Sequence, residues 1–135
     1  MQKFTVLKLI GLALLAMITL VIISILEVTV YSYVVNPGQP PTIYEAHAEF
    51  SAPFVSGLFG FILFFLVARR WRLRNLPNAF PLAILFPTTY VALDVLILSL
   101  ATDVQWSSFA STFFLANGAK YLGSYLGYKL IKIGR

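Results

Sequence analysis

The chain contains no cysteine and few charged residues, and both shortages restrict what it can be. Without cysteine it forms no disulfide and performs no thiol chemistry. Charged residues make up 11% of its 135 residues, whereas a soluble domain has roughly 25%. It also has a single histidine, no glycine-rich phosphate loop after a strand, and no base placed to activate its serines. We therefore expect no cofactor and no enzyme activity, although a membrane-embedded hydrolase using Glu49 and His47 stays a third class of function.

Hydrophobic residues are abundant instead: they make up 59% of the chain, and the mean hydropathy of the chain is +0.85. They form four blocks, each near the length of about 20 residues that a membrane-spanning helix needs. The predicted spans are 9–35, 46–68, 78–102 and 106–128. The predicted fold is an all-α membrane protein, a single domain of four transmembrane helices in an up-down-up-down bundle.

Loops that carry basic residues alternate with loops that carry none. Lysine or arginine occurs before the first block, between the second and third, and after the fourth, whereas 36–49 and the turn around Asp103 have neither. Nine of the ten basic residues therefore fall on one side. Because cytoplasmic loops are enriched in Lys and Arg, both termini are predicted to face the cytoplasm. We expect an integral, multi-pass protein of the bacterial cytoplasmic membrane.

Four arginines lie between the second and third blocks: Arg69, Arg70, Arg72 and Arg74. Alternation of arginine with an aromatic residue, here Trp71, also occurs in nucleic-acid patches. A cytoplasmic loop with Trp71 at the membrane interface explains the pattern better, so no nucleic-acid partner is expected. The predicted partners of the arginines are anionic lipid headgroups.

Small residues and prolines indicate how the helices pack. Two ladders of small residues at every fourth position let helix backbones approach closely, within the chain or in a homodimer. Pro87 lies deep in the third block, so we expect a kink there and a neighbouring group that satisfies the carbonyl left free. The ladders are Ala48, Ala52, Ser56 and Gly60 in the second block, and Ala119, Gly123 and Gly127 in the fourth.

Three ionisable residues inside the spans are the strongest functional signal. Glu27, Asp94 and Lys120 each stand in a stretch of lipid-compatible residues, where a charge costs about 2.5–3.5 kcal/mol. Counting 1.5 Å per residue, they lie about 12, 13 and 21 Å below the outer boundary, with Asn117 at about 16 Å. The prediction is a polar pocket, open to the outside, in which these four residues bind a proton, a cation or a polar solute.

Each of these groups also has a structural interpretation. Lys120 can extend its ammonium toward the cytoplasmic surface. Asp94 and Lys120 can form one buried ion pair without a binding function. Glu27 can lie at the headgroup level if the first helix ends early.

The segment Glu45–Glu49 adds acidic residues and the histidine at the predicted mouth of the pocket. In a helix, Glu45 and Glu49 share a face and His47 points elsewhere. Glu49 and His47 are predicted to contact the solute or a proton, since histidine titrates near neutral pH. Stabilisation of a helix N-terminus by the acidic residues is the alternative. Metal binding by His47 with these carboxylates stays open.

Two local resemblances are present, and neither assigns a family. Four helices in a very short chain with a carboxylate in the first resemble the small multidrug resistance transporters, with Glu27 as the matching residue. The segments Phe64–Trp71 and Ser124–Lys129 resemble GtrA-like sugar-lipid flippase proteins.

The predicted function is a small transporter, or a transport accessory, that binds a cation, proton or polar solute in the intramembrane pocket. The alternative is a non-catalytic interaction or scaffold subunit, or a helper of lipid-linked-sugar flipping, whose buried charges are structural. The expected partners are the lipid bilayer and either further copies of the chain or a larger membrane complex.

Overall fold

The computed structural model describes residues 3–101 and 106–130, which form helices and short connections without any strand. The all-helical prediction is therefore confirmed for this part of the chain. The helices are α1 (Lys3–Val30), a π-helical extension (Tyr31–Val35), α2 (Pro41–Leu73), α3 (Ala79–Leu100) and α4 (Trp106–Lys129). The turn around Asp103, predicted to face outward, lies outside the described residues.

Three helical segments are long and apolar enough to cross a membrane: Thr5–Val35, Pro41–Leu73 and Ala79–Leu100. In the most apolar part of each segment only 22% of the residues are buried inside the protein, so most of the hydrophobic surface faces outward. Water would penalise such a surface, whereas lipid does not. These are the features of an integral membrane protein.

Helix α2 is longer at both ends than the predicted span 46–68. It begins at Pro41, because proline has no amide hydrogen to lose in a first turn and its φ angle suits a helix. Pro53 consequently lies inside the helix, well beyond its first turn. At the other end α2 continues to Leu73, so Arg69, Arg70 and Arg72 belong to its last turns rather than to a loop.

Helices α1 and α2 pack in opposite directions. Glu27 contacts Ser51, whereas Tyr31, further along α1, contacts the earlier Tyr44. Helices α2 and α4 instead run parallel, because Gly57 lies against Ala116 and Phe65 against Gly127. The packing of α2 on α4 is the most extensive in the protein.

The seam between α2 and α4 brings backbone against backbone. A Cβ atom on Gly123 would overlap the carbonyl of Phe61, and one on Gly127 would overlap the carbonyl of Phe65. Glycine at two successive turns therefore sets the distance between the helices. This part of the predicted ladder is used for packing within the chain.

The carbonyl that Pro87 leaves free is satisfied by a side chain from α4. Pro87 has no N–H to donate to the carbonyl of Ala83, four residues earlier. The hydroxyl of Ser124 donates to that oxygen at 2.5 Å, and Ser124 is completely buried. Ser124 is therefore the neighbouring group that was expected to satisfy the carbonyl left free by Pro87.

The apolar core lies between α1, α2 and α3, in the half of the bundle nearer the arginines. Phe64 and Phe86 stack with ring centroids 4.3 Å apart, and the Trp71 and Tyr90 rings approach them edge-on. Small residues let α1 sit against these rings. Its buried residues are Leu9, Ala13, Ala16 and Leu20.

Candidate functional site

The Glu27 cluster (Glu27, His47, Ser51 and Tyr31) joins the C-terminal half of α1 to α2. His47 Nε2 lies 2.6 Å from Glu27 Oε1, close enough for a charge-assisted hydrogen bond. The hydroxyl of Ser51 donates to Glu27 Oε2 at 2.8 Å. The Tyr31 ring stacks on the His47 ring, with centroids 3.6 Å apart and planes 3° from parallel. Both side chains of the acid–base pair are partly exposed, at 33% for Glu27 and 21% for His47.

A π-helical turn and a loop fixed by hydrogen bonds hold this cluster in place. The amide of Asn36 donates to the Tyr31 carbonyl at 2.9 Å, five residues back, which gives the π-helical spacing. The Tyr44 hydroxyl accepts from the Gln39 amide at 2.9 Å and donates to the Asn36 carbonyl at 3.0 Å. These bonds fix the end of α1 against the start of α2.

The Lys120 cluster (Lys120, Ser56, Asn117, Asp94 and Tyr90) lies between α2, α3 and α4. Lys120 is only 1% exposed, yet its ammonium group is well supplied with partners. It donates to Ser56 Oγ at 2.8 Å, and to the Ala116 carbonyl and Asn117 Oδ1 at 3.3 Å each. An ammonium group has three N–H donors, and three oxygens receive them. Its nitrogen also lies 4.8 Å from the centre of the Tyr90 ring, a cation–π distance.

Asp94 supplies the compensating charge without touching Lys120 directly. Its half-buried carboxylate interacts with the charge of Lys120 and with the amide of Asn117. These two side chains form no direct ion pair, whereas those of Glu27 and His47 do. Asn117, 5% exposed, accepts a hydrogen bond from Lys120 at 3.3 Å and donates one to the Phe113 carbonyl at 3.0 Å. Asp94 thus balances the charge of Lys120 without direct contact, and its side chain stays partly accessible.

Gly60 makes room for the Lys120 side chain. A Cβ atom at Gly60 would lie 2.9 Å from both Cγ and Cε of Lys120. From there the ammonium group extends to Ser56 and to the Ala116 carbonyl, which precede Gly60 and Lys120 in their parallel helices. It therefore points away from the arginine-bearing end, the end that the sequence predicts to be cytoplasmic.

The structure places five of the six predicted site residues in two separate clusters. Asp94, Asn117 and Lys120 come together in one cluster, Glu27 and His47 in the other, and Glu49 lies exposed on α2. The two clusters use different faces of α2. Ser51 and Ser56, five residues apart, are separated by about 140° around the helix and about 7.5 Å along it.

Three of the four arginines predicted to contact lipid headgroups lie at the surface. Arg69, Arg70 and Arg74 are exposed, whereas Arg72 is half-buried with its guanidinium 4.8 Å from the centre of the Tyr128 ring. No group of three acidic or histidine side chains able to hold a metal ion occurs in the described residues.

A groove on the outer surface of α1 reaches the Glu27 cluster. Its volume is about 370 Å³ and its walls are almost entirely hydrocarbon. It is lined by Ile23, Leu26, Glu27, Val30, Tyr31, Val35 and Phe59. The carboxylate of Glu27 is therefore accessible from the side of the bundle.

Sequence reasoning missed the neutral partners of the charges. Ser51, Ser56 and Tyr31 each contact an ionisable group, but hydroxyls in apolar blocks are unremarkable in a sequence. Two signals were present: Ser51 follows His47 by one helical turn, and Ser56 precedes Gly60 by one turn. Together they mark two polar stripes on α2.

Comparison of the chain with protein-family models, with curated proteins and with solved structures finds no match.

Proposed function

We propose that the chain is a small transporter or transport accessory that binds a cation, a proton or a polar solute within the membrane. The observation that carries this proposal is the Lys120 cluster. A buried lysine, a partly accessible aspartate and a buried amide meet inside a hydrophobic bundle. Ionisable groups at such positions mark ion, proton or substrate pathways in membrane proteins.

The Glu27 cluster supports the same proposal. It provides a second acid–base pair nearer the outer end of the bundle, and α2 contributes to both clusters. Two titratable sites at different depths, the Glu27 cluster and the Lys120 cluster, give a proton or cation successive binding positions. Glu49, exposed on α2, adds negative charge near the proposed mouth.

The proposed arrangement in the membrane has four spans that alternate in direction, with both termini and the arginines in the cytoplasm. Helix α4 is the fourth span, since its 24 residues exceed the required length of about 20 and its lysine is compensated. The arginine-rich end of α2 then contacts anionic headgroups. A chain this small completes a pathway as a homo-oligomer or within a larger membrane complex.

The test is ion flux in proteoliposomes that contain the purified protein and a pH-sensitive dye. Under an imposed membrane potential we expect proton or cation flux that Asp94→Asn and Lys120→Gln each reduce by about tenfold or more. Lys129→Gln is the matched control, because Lys129 is exposed at the end of the same helix. Flux that survives both cluster substitutions contradicts the assignment.

A scaffold without transport is the second candidate, favoured by the complete pairing of Lys120. Its three hydrogen bonds leave it no free donor, and Lys120 is not among the residues that line the groove on α1. In this case the charges only fix how α3 and α4 pack. Asp94→Asn and Lys120→Gln would then impair folding or assembly, and the unmodified protein would show no flux of any ion tried.

A further inference from the structure

Arg72 differs from Arg70 and Arg74, at the same end of α2, because it lies against α4. Its guanidinium carbon is 4.8 Å from the centre of the Tyr128 ring, a cation–π distance. Arg70 and Arg74 are each two residues from Arg72, so at about 100° per residue they point to the opposite side of α2. Arginines that are alike in the sequence are therefore not alike in the structure.

The guanidinium of Arg72 is incompletely paired. Its Nε is buried and has no hydrogen-bond partner among the described residues. Such an unpaired donor is unfavourable, because it has given up its bond to water and gained none in return. The side chain as a whole is half-buried, so part of it remains within reach of a ligand. The protein thus holds the guanidinium in place without satisfying it.

The acidic side chains of the described residues lie far from this end of the bundle. Glu49 is the acidic residue of α2 nearest to Arg72, and about 35 Å of helix separates them. Glu27 contacts Ser51, about 32 Å from Arg72 along α2, and Asp94 lies about 22 Å beyond the start of α3. These lengths are several times the screening distance of about 8 Å at physiological salt. Arg72 therefore lacks a counter-charge that an anionic ligand would supply.

Exposed apolar side chains lie beside this charge. The Phe80 ring of α3 packs on the Tyr128 ring, with centroids 5.2 Å apart, and Phe80 is 46% exposed. Ile84, one turn further along α3, is 38% exposed. A soluble phosphate has no group to place on these side chains, whereas the acyl chain of a lipid covers them. The junction of α2, α3 and α4 therefore suits a molecule with an anionic head and an apolar tail.

We propose that Arg72 and Tyr128 form a binding site for the phosphate of one anionic phospholipid. The acyl chain of this lipid lies along Phe80 and Ile84. A guanidinium offers two parallel N–H donors to one phosphate, which an ammonium group cannot do, and the Tyr128 ring holds the guanidinium in position. The exposed arginines nearby only add general attraction. The site rests on the proposed arrangement in the membrane, which brings this end of α2 to the headgroups, and it does not require transport.

The test is native mass spectrometry of the purified protein, titrated with phosphatidylglycerol and phosphatidylethanolamine that carry the same acyl chains. We expect the first phosphatidylglycerol to bind about tenfold more tightly than the first phosphatidylethanolamine. Arg72→Lys keeps the charge but loses the paired donors, and it should remove most of this preference. Arg70→Lys makes the same change on the opposite side of α2 and should leave the preference unchanged. Equal results for the two variants would overturn the proposal, because charge alone would then explain the binding.

A second variant keeps the test valid if Arg72→Lys fails to fold. Tyr128→Leu retains the guanidinium but removes the ring beneath it, and it should lower the preference about fivefold. Tyr125→Leu, at a partly exposed tyrosine of the same helix, is its control. An undiminished preference in Tyr128→Leu also contradicts the proposal.

The source of the phosphate is tested by competition. Millimolar inorganic phosphate or glycerol phosphate should not displace the bound phosphatidylglycerol, because neither carries an acyl chain. Displacement by either would overturn the assignment to a lipid. Lipid binding as expected without any ion flux in proteoliposomes would retain the site and remove only the proposed transport.

Discussion

At the scale of single residues, Gly123 and Gly127 decide how closely α2 and α4 approach. Each faces a backbone carbonyl of α2, which cannot rotate away as a side chain can. Gly118, on the same helix, has no atom within 4 Å of the position of a Cβ. The three glycines therefore differ in the space beside them, which is open at Gly118 and filled by backbone at Gly123 and Gly127.

Gly123→Ala and Gly127→Ala should each destabilise the protein by about 1–3 kcal/mol, because overpacking forces the helices apart. Gly118→Ala should be neutral, or more stable by about 0.5–1 kcal/mol, since alanine favours a helix. Unfolding of the detergent-solubilised variants, followed by circular dichroism, measures both. Equal effects at all three positions would mean that α2 and α4 are not in close contact.

Ser124 offers a second test at this scale, through its bond to the Ala83 carbonyl. Ser124→Ala leaves a buried acceptor unpaired and should cost about 1–3 kcal/mol. In a Pro87→Ala background the loss should shrink, because alanine supplies the N–H that the carbonyl lacks. A double-mutant cycle measures this coupling. Ser111→Ala, on the exposed face of α4, is the control, and additive effects in the cycle would exclude the proposed pairing.

At the scale of elements, the helices were predictable but the rotation of α2 was not. Apolar blocks and charges place four helices within a few residues, since hydrophobic length alone requires them. Whether His47 meets Glu27 or solvent depends on which face of α2 turns toward α1. That is settled by glycines, serines and a proline-initiated first turn acting together. The predicted depths put Glu27 beside Asp94 in one pocket, because depth says nothing about which face of a helix a side chain occupies; the separation of Glu27 from Asp94, Asn117 and Lys120 was therefore not predictable.

The connection between α1 and α2 gives the prediction at this scale. Tyr44→Phe removes the hydroxyl that bonds Gln39 and Asn36, so the loop should open more readily. Amide hydrogen exchange at Gln39 should accelerate by about tenfold, as expected for the loss of about 1.4 kcal/mol. Tyr33→Phe is the matched control, because that ring is 79% exposed. Unchanged exchange in Tyr44→Phe would show that the loop is held by other contacts.

At the scale of the whole molecule, the absence of cysteine makes the proposed orientation directly testable. Any introduced cysteine is the only thiol in the chain. Thr42→Cys and Ala101→Cys should react with a membrane-impermeant maleimide added outside intact cells. Asn78→Cys and Lys129→Cys should react only after the cells are opened. If Lys129→Cys reacts from outside, α4 is not a fourth span in the proposed direction.

Lipid binding follows from the same orientation. Replacing the exposed Arg69, Arg70 and Arg74 by glutamine should weaken the association of anionic lipid by about 1 kcal/mol for each charge. Native mass spectrometry of the protein with mixed anionic and zwitterionic lipids measures the change. Loss of zwitterionic lipid to the same extent would contradict a role for charge.

The glycine seam has a mechanical consequence. Two helices whose main chains interlock at successive turns cannot slide past each other, so α2 and α4 must travel as one unit. At Gly11, the glycine of α1, no atom lies within 4 Å of the position of a Cβ, so α1 is not interlocked there in the same way. Any cycle that exposes the interior first to one side and then to the other would therefore move the remaining helices against a fixed pair.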